Sequence, residues 1–455
     1  MGPPFVYGRF QMRRERIEAD QAFFAERIAQ RAPGRRRSLS RARALAPHLG
    51  IDLDAWRAHP ERVITVVGSK GKGTAATFAS AALAAAGLRV GTLTSPGLRS
   101  NRERIRVDGA AIARPDYETL VAAVARTATR VADRLPDDGY LSPSGLFTLS
   151  ALRHFAERRC DAVVLEAGMG GASDEVALVA PGVVVVTSVL AEHLGTLGES
   201  VAAIAREKAG VITAATRDVL VADQDDPAAA AEIAAAAAVH GCRQHWAGLG
   251  DDPATAAARP APATPGAVRR APAEPSPAAA GLGARPARLG VAAALLLLDL
   301  AGRPAPPPVA LAATLRSVRL PGRLSRHRRG DQEWIVDCAT NPAAIAAAIA
   351  HATASIGPPT AVLTFIPRQR DRAPLLRALH GWRLVEVPGG RRTGAPGSGA
   401  VMRLEAVDLD ALGPRVLALG PVYFAGEVLA TLDADCERSF GLPPSAAGRL
   451  EARPG

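Results

Sequence analysis

Aromatic residues make up only 4% of the 455 residues, and there are only four cysteines. The cysteines, Cys160, Cys242, Cys338 and Cys436, lie far apart without a C-x-x-C pair. That spacing argues against both a zinc site and a disulfide framework. Long apolar runs are missing too: Val291 to Leu298 falls far short of the roughly 20 residues of a spanning helix. The first residues, MGPPFVYGRFQMRRERIEAD, contain no apolar signal-peptide core, so neither secretion nor membrane insertion is expected, and a reducing cytoplasm fits. Lysine plus arginine exceed aspartate plus glutamate by 55 to 44. The arginines are scattered and few aromatics interleave with them, so no nucleic-acid partner is expected.

A hydrophobic content of 48% over this length is enough for two domains, each with its own core. The chain is organised around Val63 to Thr74, VITVVGSKGKGT, a β-branched run that empties into a glycine-rich loop. It reads as a buried strand feeding a phosphate-binding loop. Gly68, Ser69, Lys70, Gly71, Lys72 and Gly73 form that loop; its glycines let backbone N–H groups approach an anion. Lys72 supplies a point charge and the Thr74 hydroxyl a ligand for Mg²⁺. The generic Walker A pattern fails, because Val66 and Gly73 occupy its outer positions, so an ordinary glycine-rich turn remains the alternative.

Before this loop, Ile17, Phe23, Phe24 and Ile28 recur at helical spacing between Arg13 and Leu49, with an arginine-rich break at Pro33 to Arg37. After the loop come an alanine-rich helix over about 75–86 and a strand over 89–94, a βαβ unit that predicts a parallel sheet. Arg102, Arg104 and Arg106 crowd the next segment, which by itself reads as a solvated charged loop and strand. Helices are expected over 116–135 and 144–158. Asp161 to Gly171, DAVVLEAGMGG, is another buried strand; it places Glu166 at the edge where open parallel sheets bind ligands, as a natural Mg²⁺ ligand. Val183 to Val189 runs into LAEHLGTLG, bringing Glu192 and His193 to the same edge. Lys208 lies on a helix over 200–212.

From about 227 to 287 the sequence turns to alanine and proline, and part of it is expected to be a flexible insertion. An apolar helix over 289–301 closes the first domain, and Pro304 to Pro308 approaches a linker. The remainder, with strands over 333–336, 360–366 and 416–419 and a helix entered at Pro342, reads as a smaller α/β domain.

Six blocks occur in order: GSKGKGT, TSPGLRSNRERIRVDG, DAVVLEAGMGG, EHLGTLGESVAAIAREKAGVI, LPGRLSR and DCATNP. Together they resemble the folylpolyglutamate synthase and dihydrofolate synthase family of the Mur ligase superfamily, well over 39–212 and more loosely over 318–432. The resemblance implies an α/β chain: an ATP-binding domain with a mostly parallel sheet over 1–303, and a smaller Rossmann-like domain over 309–455. It further implies ATP and Mg²⁺, a folate or pteroate-like acid and L-glutamate as substrates, a monomer, and domain closure over a cleft. By matching position, Lys72 and its loop hold phosphates, and Thr74, Glu166 and His193 surround Mg²⁺. Lys208 corresponds to a lysine that the family carbamylates, and Arg323 and Asp337 reach the nucleotide from the second domain. Lys72, Lys208 and His193 are the implied catalytic residues.

The chain departs from that pattern near the substrates. Gly97 stands where TSPH places histidine, Thr340 where AHNP does, Ala172 where an arginine is usual and Phe147 where a glutamate is, while Asp174 is kept. No GxHQ block is evident in GLGARPARLG. A different acid acceptor, or a noncatalytic nucleotide-binding paralogue, are the alternatives these departures leave open.

Overall fold

The computed structural model describes residues 22–24, 36–247, 283–367, 371–390 and 401–442. Strand β1, Val63–Val67, is buried along its entire length, as is β2, Val90–Leu93. Runs with no polar face need cover on both sides, the signature of a parallel sheet. The sheet is completed by β3 Ile105–Val107, β4 Ala110–Ala111, β5 Ala162–Glu166, β6 Val183–Val186, β7 Asp218–Ala222 and β8 Arg243–Ala247. Its order is β4-β3-β2-β5-β1-β6-β7-β8. Six strands run parallel, and β3 and β4 form an antiparallel edge.

Side-chain alternation along β1 sorts two cores. Ile64 and Val66 face the helices Lys72–Ala85 and Ala284–Leu300, among Phe78, Leu83 and Leu297. Val63 and Val67 face the opposite layer, which includes Phe147, Leu152 and Phe155 of the helix Pro143–Glu157. Phe23 is fully buried in that second core; Ile17 and Ile28 lie outside the described residues.

The expectation of a flexible stretch from 227 needs correction at its start. Pro227–Val239 is a helix capped by Asp226, whose carboxylate accepts the N–H groups of Ala228 and Ala229, and it leads into the edge strand β8. Alanine is the strongest helix former, so a cap and a proline in the first turn convert an alanine-rich run into a helix. Residues 248–282 lie outside the described residues. The apolar helix expected from 289 starts at Ala284, and the one expected from 75 starts at Lys72.

The second sheet has the order β12-β11-β13-β10-β9, with β9 Ser325–Arg329, β10 Gln332–Asp337, β11 Ala361–Thr364, β12 Leu384–Glu386 and β13 Arg415–Leu419. β9 is antiparallel to β10 and the other pairings are parallel. Sequence reading missed β9 because its alternating arginines pair with acids instead of alternating with apolar residues: Arg326 and Arg328 meet Glu333, and Arg329 meets Asp410.

The chain passes between the two sheets twice. The helix Pro308–Arg316 puts Leu311 and Leu315 into the first sheet's core, together with Val318 and, from the far end of the chain, Phe440. The returning C-terminal segment is stitched on by Ala111 N–H to Glu437 O (2.7 Å), Ser439 N–H to Gly109 O (2.8 Å) and Arg319 N–H to Ser439 O (2.8 Å). It lies across the β3–β4 turn.

In that turn Asp108 sits in left-handed backbone (φ 51°) and its carboxylate accepts Val90 N–H at 2.8 Å. Burial pushes its pKa from 3.8 to about 6. The folded state therefore holds this proton more tightly than the unfolded chain does, and the carboxyl's contribution to stability falls as the pH rises from about 4 to about 6. Asp108→Asn keeps the acceptor and tolerates the backbone. It should stabilise the protein at pH 7 by at most about 3 kcal/mol, with the gain vanishing by about pH 4, as read from urea unfolding at both pH values.

Candidate active site

The carboxyl ends of β1, β2, β5 and β6 meet at one edge, where strand order reverses about β1 and a crevice opens. The loop after β1 is held against β6: Ser69 donates its N–H to Ser188 O (2.8 Å), and its hydroxyl accepts Leu190 N–H (3.0 Å). Gly68 is buried with φ +131°, and a Cβ there would lie 2.0 Å from Thr187 Oγ1. Gly71 (φ +87°) opens the helix Lys72–Ala85, and a Cβ on it would meet Pro286 Cγ at 2.6 Å. Both glycines are thus required by close approach as well as by positive φ.

Two ammonium groups converge on a single carbonyl. Lys72 Nζ donates to Gly68 O at 2.9 Å and Lys208 Nζ to the same oxygen at 2.8 Å. Lys208, 1% exposed, also pairs with Glu192 Oε1 at 3.1 Å. Burial and then the charge of Lys72 push the Lys208 ammonium below the ordinary lysine range, against the pull of Glu192.

Glu166 ends β5, and its Oε2 accepts Ser95 N–H at 2.9 Å. Burial raises its pKa, while Lys72, the Ser95 N–H, Arg323 and Arg104 pull it down. Gly73 packs closely beside it: a Cβ there would stand 3.3 Å from Glu166 Oε2, so the carboxylate would have to give by a few tenths of an ångström. Gly73, Thr74, Glu166 and, from the second sheet's approach, Arg323 line one cavity of about 90 Å³ between the two sheets. A larger cavity, about 740 Å³, opens at the amino ends of the strands beside Trp56 and Leu297 and contains none of these residues.

Other expected site residues sit apart from that cavity. His193 is exposed on the loop after β6 in left-handed backbone (φ 51°), and Lys70 is exposed on the phosphate loop. Asp337 ends β10, where its Oδ2 accepts Leu324 N–H at 2.8 Å and thereby fixes the turn carrying Arg323. Among the described residues, no group of three or more His, Cys, Asp or Glu side chains gathers as a metal cage.

The departures from the family pattern have local physical causes. At Gly97 a Cβ would lie 2.2 Å from Ser100 O, so this turn takes no side chain. Phe147 is 1% exposed and packs edge-on to Phe23 at 5.0 Å, with the Arg104 guanidinium 4.6 Å from its ring centroid. Arg104 also donates to Ser95 Oγ (3.0 Å) and Asn101 Oδ1 (2.8 Å). Where Ala172 lacks a guanidinium, Arg37 reaches in from the N-terminal segment to Asp174 Oδ2 (3.1 Å) and to Met169 O. Thr340 precedes Asn341, whose side chain caps the helix Pro342–Ile356.

The segment with Arg102, Arg104 and Arg106 is no solvated loop: Arg106 is buried and donates to Cys436 O (2.7 Å) and Glu437 O (2.6 Å), more than 300 positions away. Nothing in local sequence signals those partners, nor the reach of Arg37. One compositional signal does point to the site. Of 55 basic residues only three are lysines, and they are Lys70, Lys72 and Lys208. A chain that uses arginine everywhere else keeps lysine where a compact, titratable ammonium differs from a planar, permanently charged fork.

Gly68→Ala tests the loop geometry directly. The added methyl must displace Thr187 or the strand end, which should cost about 1–3 kcal/mol of stability and weaken nucleotide binding at least tenfold, read by chemical unfolding and by titration with a fluorescent ATP analogue.

Residues 66–261 match the Mur ligase middle domain. The dihydrofolate synthase/folylpolyglutamate synthase of Escherichia coli is 33% identical over 196 residues, 43% of this chain and 43% of that protein. The corresponding Bacillus subtilis protein is 36% identical over 166 residues, covering 35% of this chain and 38% of its own length. A probable bifunctional folylpolyglutamate synthase/dihydropteroate synthase of Halobacterium salinarum is 36% identical over 167 residues, only 20% of its length, so the matched stretch spans well under two thirds of these relatives. In three dimensions the chain superposes on the apo form of L. casei FPGS with a TM-score of 0.71 at 24% identity, covering 91% of this chain and all of that one. An FPGS-AMPPCP-folate complex superposes with a TM-score of 0.67 at 26% identity, over 88% of this chain and 97% of that one. With the phosphate loop, the doubly covered sheet and the second α/β sheet in place, residues 66–261 match a Mur ligase middle domain, and the described chain is similar in fold to folylpolyglutamate synthase.

Proposed function

We propose that the protein is an ATP-dependent carboxylate–amine ligase that joins L-glutamate to a folate or pteroate-like acid through an acyl phosphate. The observation that carries this reading is the cleft cavity in which Gly73 and Thr74 of the phosphate loop and Glu166 of β5 face Arg323 from the other sheet. In the first step a carboxylate oxygen of the acid attacks the γ-phosphorus of ATP, the bond to the β-phosphate oxygen breaks and ADP leaves. In the second the amine attacks the acyl carbon, inorganic phosphate departs and the amine loses a proton to solvent. The loop N–H groups and Lys72 bind and orient the phosphates; on their arrival Lys72 exchanges Gly68 O for a phosphate oxygen, while Lys208 keeps the carbonyl in place. Arg323 stabilises charge on the transferred group from the opposite wall.

Mg²⁺ fits the donor set of Thr74 and Glu166, which is all oxygen, with Glu166 Oε1 not taken by Ser95. Bound there, the ion supplies charge neutralisation for the phosphates. His193 completes that set only if its exposed loop folds inward. Carbamylation of Lys208 would set a second anion against Glu192 in place of the present ion pair, so that modification requires Glu192 to turn away. The turn at Gly97 favours, as a second reading, the same chemistry on an acid other than a folate, because no side chain at that position reaches the acceptor.

The test is ADP release with Mg²⁺, ATP and glutamate, with and without dihydropteroate or a reduced folate, followed by product mass. A folate-dependent rate with one glutamate added is expected; glutamate-dependent release that only another acid stimulates would select the second reading, and no release with any acid would overturn both. Lys72→Ala should lower the rate at least about 100-fold, with folding unchanged by circular dichroism.

A further inference from the structure

The interdomain cavity carries more positive charge than the phosphate chemistry uses. Four guanidiniums line it, Arg106, Arg319, Arg323 and Arg438, against two carboxylates, Glu103 and Glu166. Both acids are already committed. Glu103 accepts the N–H groups of Leu98 (3.0 Å), Arg99 (3.1 Å) and Ser100 (2.8 Å), and Glu166 accepts that of Ser95. Arg106 is spent on the Cys436 and Glu437 carbonyls, and Arg323 lies beside Asp337 and Cys338. Arg319 and Arg438 are exposed, and among the described residues neither guanidinium has a hydrogen bond or ion pair.

Both residues line this one cavity although 119 positions separate their numbers, and their backbones are held close together. The backbone of Arg319 donates to Ser439 O, Arg438 bridges to Ala110, and buried Arg106 anchors the carbonyls just before it. Two unpaired guanidiniums in a narrow cleft are complementary to a dianion, and guanidinium forks bind carboxylates better than any other cationic group. We infer that Arg319 and Arg438 form the subsite for the two carboxylates of the amine-bearing substrate, a dicarboxylic amino acid. The inference rests on the ligase reading for the identity of that substrate, and on charge and geometry alone for its binding of a dianion.

Calorimetric titration of the full chain with L-glutamate, glutarate and L-glutamine, in Mg²⁺ and a non-hydrolysable ATP analogue, tests the assignment. L-Glutamate and glutarate should bind the native protein more tightly than L-glutamine, which has lost one carboxylate. Arg319→Gln and Arg438→Gln should each weaken L-glutamate at least about tenfold, and the double variant should no longer distinguish glutamate from glutamine. Arg438→Lys should recover part of the loss, which a merely structural role would not predict, and unfolding midpoints confirm that the variants fold. Unchanged glutamate affinity in the double variant, or no measurable affinity of the native protein for either dianion, would overturn the assignment. Dianion binding without ADP release would leave the subsite standing and remove the ligase reading instead.

Discussion

The carbonyl of Gly68 accepting hydrogen bonds from both Lys72 and Lys208 is the interaction on which the rest of the site depends. It fixes the turn by which β1 becomes a loop, and it ties that loop to a helix 140 positions further on. Two cations on one neutral oxygen repel each other, and only one of them, Lys208, has a carboxylate partner in Glu192. Lys72 is therefore the ammonium that an arriving phosphate would draw away, and Lys208 the one that stays. Lys72, near the Glu166 carboxylate but without a direct ion pair among the described residues, stands where a nucleotide's phosphates would supply further anions.

Around that point, backbone space is as restricted as charge. Gly68, Gly71 and Gly73 each border a different wall: Thr187 after β6, Pro286 at the head of the helix Ala284–Leu300, and Glu166 at the end of β5. The loop is consequently gripped from three sides. Pro286 follows the undescribed stretch 248–282 and opens a helix whose Gly290 also touches Ala75. The helix that covers one face of the sheet thus also shapes the phosphate loop, which links the packing of the fold to its chemistry.

The buried strands β1, β5 and β6 were legible in the sequence because each is a buried run rich in β-branched residues that ends in, or at, a glycine or a polar residue, and parallel pairing follows from burial on both faces. The order of those strands puts Thr74, Glu166 and the loop at one edge, so that part of the site was legible too. The arginines were not. Arg106 looks like any charged residue in TSPGLRSNRERIRVDG, and its burial is made acceptable only by two backbone carbonyls contributed by the end of the chain. Arg104 is held by a stack on Phe147 whose existence depends on Phe23 packing behind it. Both are consequences of non-local packing, which periodicity does not encode.

The C-terminal segment explains the burial of Arg106. Phe440 sits in the first sheet's core and Arg106 holds the carbonyls before it, yet the residues just upstream, Val422–Thr431, form a helix of the second sheet's layer. The second sheet is therefore tethered at both ends, through 318–325 and 432–440, and any opening of the cleft must pivot on this pair of crossings. Because Arg319 lies on one crossing and Arg438 on the other, motion about the pair alters the cleft's cationic wall less than it alters the distance from Glu166 to the second sheet. A substrate bound to that wall would remain in place while the nucleotide side approaches it, which is the sequence of events that an amine waiting for an acyl phosphate requires.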